Sequence, residues 1–340
     1  MSNLKIDSSL MFDPVKVGTM AAQMEAVGFD GAYTFEGQHD PFISLASAAV
    51  KTERLELMTS IAVAFARNPM SLAYQANDLQ LLSEGRFILG LGTQVKAHIE
   101  RRFNMPWSKP AARMRELVLA VKTIWSCWET GDKLNFEGEF YQNSLMVPTF
   151  SPGANPFGTP DIFVAGVGPL MTQVAAEVGE GLFVHPFHSP HSLQHLTMPA
   201  VEKGLQLAGK TRADFTIAAQ LITATGLNEE EMQAAEFSAR SQIAFYGSTP
   251  AYLPVLQQHG WEGLQPEANR LSKEGKWMEM AALVDDEMLR TFAVVGEPAD
   301  VARQIVDRFA NKVERVSPVI YSPSPDLLGV LLGEIQALTP

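Results

Sequence analysis

The segment FEGQHDPF, residues 35–42, crowds four polar side chains into five positions: Glu36, Gln38, His39 and Asp40. An imidazole titrates near neutral pH, so His39 is a candidate for relaying a proton, with Glu36 or Asp40 orienting its ring. The other interpretation is structural, because Asp40 before Pro41 is a typical helix start and His39 is then a polar loop residue. The residue types alone leave both interpretations open.

A strand with a polar interruption follows in LELMTSIAVAFARNP, residues 55–69. Apolar residues lead into and out of the polar pair Thr59-Ser60. A strand buried on both faces of a parallel sheet is normally a near-continuous apolar run. The polar pair therefore needs a reason of its own, and Pro69 at the end of the segment predicts the first turn of a helix.

Two glycine-containing turns are candidate anion sites. In AGVGPLM, residues 165–171, Gly166 and Gly168 allow close backbone approach, and the helix that follows directs free N–H groups outward, which suits a phosphate. An ordinary strand-to-helix turn explains one glycine more easily than two. The segment GLGTQVKAHIERRF, residues 90–103, lacks the third glycine of a dinucleotide fingerprint. It offers the Thr93 hydroxyl and a basic group that either steers anions or forms a solvated helix face: Lys96, His98, Arg101 and Arg102.

The segment HPFHSPH, residues 185–191, spaces His185, His188 and His191 three residues apart. Imidazole is a common zinc ligand, but two prolines prevent one helical face and the segment contains no acidic ligand. We therefore predict no metal site, and we expect these imidazoles to lie beside a phosphate or a ring system.

The elements that must position these residues alternate along the whole chain. Helix-like stretches follow strand-like stretches, which predicts an α/β fold, a (β/α)8 TIM barrel, with a doubly wound parallel sheet as the alternative. In a barrel, functional residues lie on the loops at the carboxyl ends of the strands, where the segments above fall. The predicted strands lie at 4–10, 28–35, within 55–69, 85–92, 161–169, 179–187, 214–226 and 314–323.

We expect residues 1–340 to form a single barrel domain with two excursions from the alternating pattern. Residues 132–160 are rich in Gly, Pro and Asn and include a predicted hairpin, LNFEGEFYQ, with its turn near Glu137-Gly138. Residues 228–290 form a mostly helical insertion before strand eight.

The composition limits the class of protein. The 340 residues are 46% apolar and 19% charged, and a formal net charge of −12 argues against binding to nucleic acid or to anionic membranes. A single cysteine, Cys127, rules out an internal disulfide and suits a reducing compartment. We see neither a signal peptide nor a membrane-spanning run, so we expect a cytoplasmic enzyme.

Taken together, these segments resemble the luciferase-like flavin and deazaflavin oxidoreductases, and within them the coenzyme F420-dependent branch. The resemblance covers nearly the whole chain. It is carried by GFDGAYTFEGQHDPF, ELMTSIAVAFARNPMSLAYQANDLQLLSEGRFILGLGTQ, FVAGVGPLMTQVAAEVGEGLFVHPF and AFYGSTPAYLPVLQQHGW.

The resemblance implies roles for individual residues. The third strand of this superfamily carries a bulge with a non-prolyl cis peptide behind the cofactor ring, and the matching bond is Ser60–Ile61. Thr93 matches the position near the polar edge of the ring. The turn Gly166, Val167 and Gly168 matches the phosphate-binding backbone. The loop flanking the cofactor side chain corresponds to His185, Phe187 and His188, and His39 falls close to the histidine that many relatives use beside the ring.

The resemblance also narrows the range of possible substrates and reactions. Gln94-Val95 stands where sugar-phosphate dehydrogenases of this branch carry a glutamate, which argues against glucose 6-phosphate as the substrate. Glu36 is followed by Gly37-Gln38 instead of the paired histidines of bacterial luciferases, which argues against light emission. The first interpretation is F420-dependent hydride transfer to or from a small organic substrate. The alternatives are an FMN-dependent two-component monooxygenase with a separate reductase, and a flavin-binding barrel without catalysis. By analogy we expect self-association.

Overall fold

A closed barrel of eight parallel strands lies at the centre of the molecule, as predicted. The computed structural model describes residues 4–10, 13–321 and 324–338. Each strand pairs with the next, and the eighth pairs with the first. The strands are β1 (Lys5–Ser9), β2 (Gly31–Thr34), β3 (Glu56–Thr59), β4 (Phe87–Gly92), β5 (Asp161–Gly166), β6 (Gly181–Val184), β7 (Thr216–Ala224) and β8 (Arg315–Val319).

The predicted third strand ends earlier in the structure, and the end of the predicted eighth strand lies outside the described residues. Strand three stops at Thr59, and only Ala62–Val63 continues the pairing with β4, because the backbone bends between them. Ser322 and Pro323, the last residues of the predicted eighth strand, lie outside the described residues, as do the ends of the predicted domain at 1–3 and 339–340.

Helices surround the barrel. They are α1 (Val17–Val27), α2 (Pro41–Ala49), α3 (Pro69–Leu82), α4 (Pro110–Thr130), α5 (Pro169–Val178), α6 (Met198–Ala208), α7 (Pro298–Phe309) and α8 (Pro325–Leu338), with short helices at Lys96–Arg101 and Pro190–Ser192. Two of the starts are capped as the sequence predicts: Asp40 accepts from the amides of Phe42 and Ile43, and Asn68 accepts from that of Ser71. Among the described residues, none of the helices combines the length and apolar character needed to cross a membrane.

The two excursions add structure outside the barrel. In the first, Phe136–Glu137 pairs antiparallel with Gln142–Asn143. The second contains five helices. It is followed by a short strand, Ala293–Val295, which pairs with the last three residues of β7. The sequence analysis did not identify this strand. The five helices are Glu229–Gly247, Leu253–Gln257, Leu264–Lys273, Trp277–Ala281 and Asp286–Phe292.

The interior of the barrel is filled in layers, so that only its carboxyl end is available for a ligand. Toward the amino ends of the strands, Arg315 pairs with the carboxylates of Asp7 and Glu56. Burial alone would raise the pKa of Glu56, but Arg315 and Lys5 outweigh it and hold that pKa below its ordinary value. Above this layer the barrel is closed by the side chains of Tyr33, Met58, Ile88, Phe163, Phe183 and Ala218.

Candidate functional site

Strand β3 ends in a bend that the Thr59 side chain stabilises. The Thr59 hydroxyl donates to the Gly90 carbonyl at 2.8 Å and accepts from the Gly90 amide at 2.8 Å. A Cβ on Gly90 would lie 1.7 Å from the Thr59 carbonyl oxygen, so the two strands approach more closely than any side chain permits. The hydroxyl thus supplies the hydrogen bonds that the bent backbone does not make to β4, which explains a polar residue inside a buried strand.

The peptide bond that follows, Ser60–Ile61, is cis in the structure, and it is the bond to which the resemblance pointed. The Ser60 amide donates to the Thr34 carbonyl at 2.8 Å, which ties the bend to β2. On the other side, the Ile61 side chain lies over Gly92, where a Cβ would come within 2.7 Å of it. The bend is therefore held by both neighbouring strands.

Arg67 organises the acidic residues of the loop after β2. Its guanidinium pairs with the carboxylates of Glu36 and Asp40, and Glu36 also accepts from the Val63 amide at 2.7 Å. The arginine and Glu36 side chains are only 11% and 10% exposed. Both carboxylates are thus bound to Arg67, and Asp40 in addition caps α2.

His39 lies on the exposed side of the same loop. Among the described residues, no hydrogen bond to its imidazole is formed, so the ring is free to meet a ligand but is not preorganised. Its predicted catalytic role, like those of Glu36 and Asp40, stays a prediction. The observed hydrogen bonds of Asp40 are those of a helix cap, which was the structural interpretation of this residue.

The glycine turn after β5 has the predicted open form. Gly168 is the N-cap of α5, has an extended backbone, and supplies no side chain to the first amides of the helix. A Cβ on Gly168 would meet nothing within 4 Å, whereas one on Gly166 would lie 3.0 Å from the Thr172 hydroxyl. Backbone N–H groups at an uncapped helix start attract anions. Gly168 and the half-buried Val167 therefore offer a phosphate unobstructed access.

The loop after β4 is partly exposed. The Thr93 hydroxyl donates to the Gln94 carbonyl at 2.9 Å, and Gln94 itself has a positive φ of 59°. Lys96 pairs with Glu100, and Arg102 donates to the Gly37 carbonyl at 2.9 Å, which joins this loop to the one after β2. These contacts favour the solvated helix face over a dedicated anion-steering group.

Of the three predicted histidines in the loop after β6, His188 is buried, His185 is half-buried and His191 is exposed. The His185 ring packs against Tyr246 and Tyr252, and its Nδ1 accepts from the Phe187 amide at 3.1 Å. His188 donates from Nδ1 to the His185 carbonyl at 3.0 Å, because a carbonyl can only accept. Burial lowers the pKa of His185 to about 3 and that of His188 to about 4. Both imidazoles are therefore neutral at physiological pH.

The pKa values of His185 and His188 predict a loss of stability as the pH falls below about 6.5. The unfolded chain then binds protons that the folded chain excludes, so each histidine lowers the free energy of unfolding by about 1.4 kcal/mol between pH 7.5 and pH 5.5. Urea denaturation at both pH values tests this, and His188→Asn should remove about half of the loss while keeping a donor to the carbonyl. An identical pH dependence in His188→Asn would contradict the assignment.

Aromatic side chains near the mouth divide into enclosed and accessible ones. Phe187 is 1% exposed and stacks on Phe292, and its ring also packs against Tyr246 and Tyr252 of the insertion. Phe42 and Phe65 are likewise buried, whereas Phe35 is 42% exposed and Trp107 is half-buried against Phe65. Of these aromatic side chains, Phe35 and Trp107 are therefore the accessible ones.

The structure also brings to the mouth residues that sequence reasoning missed. Tyr246 of the insertion and Tyr321 after β8 have phenol groups close enough to influence each other's ionisation, and burial raises the pKa of both. The Tyr321 hydroxyl is buried beside that of Tyr246. Gln220 of β7 reaches Ser60. Gln220 had a sequence signal, since it interrupts the apolar run AAQLI as Thr59-Ser60 interrupts strand three.

Three of the predicted features lie at one end of the barrel. The bent end of β3, the open helix start after β5 and the neutral imidazole after β6 all lie at the carboxyl end of one barrel. In the part of the chain that the structure describes, no group of three His, Cys, Asp or Glu side chains is arranged to hold a metal ion.

Comparisons with known proteins identify the family and the fold. A family model described as luciferase-like monooxygenase matches residues 6–314. An uncharacterized protein of Mycobacterium tuberculosis is 47% identical over 98% of each chain, and the 5,10-methylenetetrahydromethanopterin reductase of Archaeoglobus fulgidus is 29% identical over 83% of this chain and 82% of its own. The solved structure of the coenzyme F420 dependent tetrahydromethanopterin reductase from Methanopyrus kandleri matches with a TM-score of 0.81 and 21% identity, over 99% of this chain and 100% of that one.

Proposed function

This chain belongs to the luciferase-like monooxygenase family, and from that premise we propose that it is an F420-dependent oxidoreductase. It would transfer a hydride between the deazaflavin cofactor and a small organic substrate. The support for F420 comes from the reductase of Methanopyrus kandleri, which is coenzyme F420 dependent, and from the F420-dependent glucose-6-phosphate dehydrogenase of Intrasporangium calvum, which is 27% identical over 94% of this chain and 92% of its own. Membership of this family supports an oxidoreductase activity.

The observation that carries the proposal is the open helix start at Gly168 at the mouth of the barrel. The space that a Cβ of Gly168 would occupy is empty, and no side chain caps the first amides of the helix. A phosphate-bearing ring compound suits this feature, because amides and the helix dipole favour the phosphate. The residues present therefore fit F420 or FMN.

The residues that would hold the cofactor have separate tasks. Backbone amides at Gly166, Val167 and Gly168 would bind the phosphate, and the bend at Ser60–Ile61 would support the ring. Thr93 would lie at the polar edge of the ring. When bound, F420 supplies a deazaflavin that transfers hydrides and reacts poorly with oxygen. The filled barrel floor below Ser60 excludes water from one side of the site.

Equilibrium binding tests the proposal directly. Purified protein is titrated with F420 and, separately, with FMN, and absorbance and fluorescence report the bound fraction. We expect F420 to bind in the micromolar range or tighter and FMN to bind more weakly. Binding of FMN without a response to F420 would overturn the choice of cofactor, and binding of neither would overturn the function.

The FMN-dependent monooxygenase remains the second candidate, because the description of the matching family names that activity. The same glycine turn would hold the FMN phosphate, and a separate reductase would supply the reduced cofactor. Oxygen uptake by the protein loaded with reduced FMN, above that of free reduced FMN and absent from the protein loaded with reduced F420, would favour this alternative. Cofactor binding without turnover of any tested compound would favour a flavin-binding barrel without catalysis.

The role proposed for His39 is tested by His39→Ala. If its imidazole moves the proton that accompanies the hydride, turnover should fall about 100-fold or more while cofactor affinity stays within about twofold. Gln38→Ala is the matched control, since Gln38 is exposed on the same loop. Turnover at the parent rate in His39→Ala would remove the residue from the mechanism.

A further inference from the structure

Gln220 stands alone as a polar side chain in the apolar middle of β7. The strand is otherwise almost entirely apolar up to Ile222, and Ala218 and Ala219 beside Gln220 are buried. Gln220 is half-buried, and its Nε2 donates to the Ser60 hydroxyl at 3.1 Å. A polar group inside a barrel is costly unless it is bonded, so this position requires a partner.

The pairing of the strands locates Gln220 at the mouth. Val184, the last residue of β6, is opposite Ala219, so His185 and Gln220 directly follow this pair on the two chain segments. Gly166 is opposite Val184, which brings Val167 of the glycine turn beside His185. The bond to Ser60 crosses the barrel from β7 to the bend of β3. Gln220 thus connects the bend to the side of the mouth that carries the glycine turn.

The amide of Gln220 is only partly used. Within the described ranges, its side chain forms one hydrogen bond, the one to Ser60. One N–H and the carbonyl oxygen are left for another group, since an amide side chain offers two donors and an acceptor with two lone pairs. Flavin and deazaflavin rings share a cyclic imide edge, which presents an N–H donor between two carbonyl acceptors. An amide is the side chain whose donor and acceptor match such an edge.

We propose that Gln220 is a positioning residue for the ring of the cofactor, holding the Ser60 hydroxyl and presenting its remaining amide groups to the imide edge. This inference rests on the proposed function, because it requires a flavin-type ring at the mouth. It adds a residue from β7 to a site whose other members lie on the loops after β3 to β6.

A purely structural role is the alternative, and it predicts a different result. A bond that only ties β7 to β3 would affect thermal stability and leave cofactor affinity unchanged. Tyr33 provides the matched control, because the Ser317 hydroxyl donates to the Tyr33 hydroxyl at 3.2 Å in a similar bond inside the barrel floor. Tyr33→Phe removes that bond without altering the mouth.

The experiment compares Gln220→Met, Ser60→Ala, the double variant and Tyr33→Phe with the parent protein. Each is titrated with F420 and with FMN by fluorescence, and its Tm is measured. We expect Gln220→Met to weaken binding of the preferred cofactor about tenfold and Ser60→Ala to weaken it less. The fold-loss of affinity in the double variant should be smaller than the product of the two single-variant losses, since the two residues act together. Tyr33→Phe should lower the Tm and leave the Kd within twofold.

The outcomes separate this inference from the proposed function. If the parent protein binds neither cofactor, both fail. If the parent binds a cofactor and folded Gln220→Met binds it equally well, the role of Gln220 is overturned and the proposed function stands. A conservative Gln220→Asn variant, whose amide is one methylene shorter, should recover little affinity, because the position of the amide matters. Full recovery by Gln220→Asn would also contradict positioning.

Discussion

Replacing Gly168 with aspartate should abolish cofactor binding while leaving the fold slightly more stable. Gly168 is the N-cap of α5, and aspartate is among the best N-cap residues, so we expect a gain of a few tenths of a kcal/mol. The same carboxylate would occupy the helix start and repel a phosphate. We expect the Kd of F420 to rise at least about 100-fold, which corresponds to about 2.7 kcal/mol. Opposite effects on stability and binding would identify the site of the anion.

The matched control for this prediction is Gly168→Ala, which adds a methyl group without charge. The backbone at Gly168 is extended, with φ of −89° and ψ of 157°, and a Cβ there has no neighbour within 4 Å. The fold therefore tolerates both substitutions, and we expect Gly168→Ala to weaken binding less than tenfold. Gly166 is less suitable, because a Cβ would press on Thr172. Unchanged affinity in Gly168→Asp, measured by fluorescence titration, would show that the anion is held elsewhere.

The largest effect on stability is expected from Arg315→Met at the base of the barrel. Arg315 and Asp7 are each 3% exposed and form two hydrogen bonds, one of them from Nε to Oδ2 at 2.8 Å. Removing the guanidinium leaves the Asp7 carboxylate buried without a counter-charge. Breaking a buried pair from one side typically costs about 3–5 kcal/mol. Urea denaturation at pH 7.5 should show a loss of that size.

The double variant Asp7→Leu with Arg315→Met tests the reason for the loss. Removing both charges eliminates the uncompensated carboxylate, so most of the lost stability should return. Glu56 keeps its ion pair with Lys5 at 2.7 Å in both variants. A double variant as unstable as Arg315→Met alone would mean that lost packing, and not the unpaired charge, causes the effect. A loss below about 1 kcal/mol in the single variant would contradict the burial argument.

The barrel was predictable because its signals are local. Alternating strand and helix patterns, Asp40 and Asn68 before proline, and the apolar runs of β4 and β5 are all readable over a few residues. The short strand Ala293–Val295 was missed, since three residues carry too little pattern to separate them from the helix that precedes them.

The candidate site was predictable only in part. The polar pair Thr59-Ser60 and the glycine turn at 166–168 were visible as departures from an otherwise apolar pattern. The partners that explain them were not, because Gly90 is 31 residues from Thr59 and Gln220 is 160 residues from Ser60. A separation of 31 residues also hid the pairing of Arg67 with Glu36. The sequence analysis therefore interpreted the acidic residues of this loop as groups that orient the His39 ring.

The amino-acid sequence by itself determined the order of the elements, the capped helix starts and the segments placed at the carboxyl ends of the strands. These depend on interactions between residues close in the chain. Only the tertiary structure decided which polar groups meet: Arg67 with Glu36 and Asp40, Gln220 with Ser60, and His185 with Tyr246. Closing the barrel brings the ends of all eight strands to one mouth, and the stagger between strands sets which side chains face each other there.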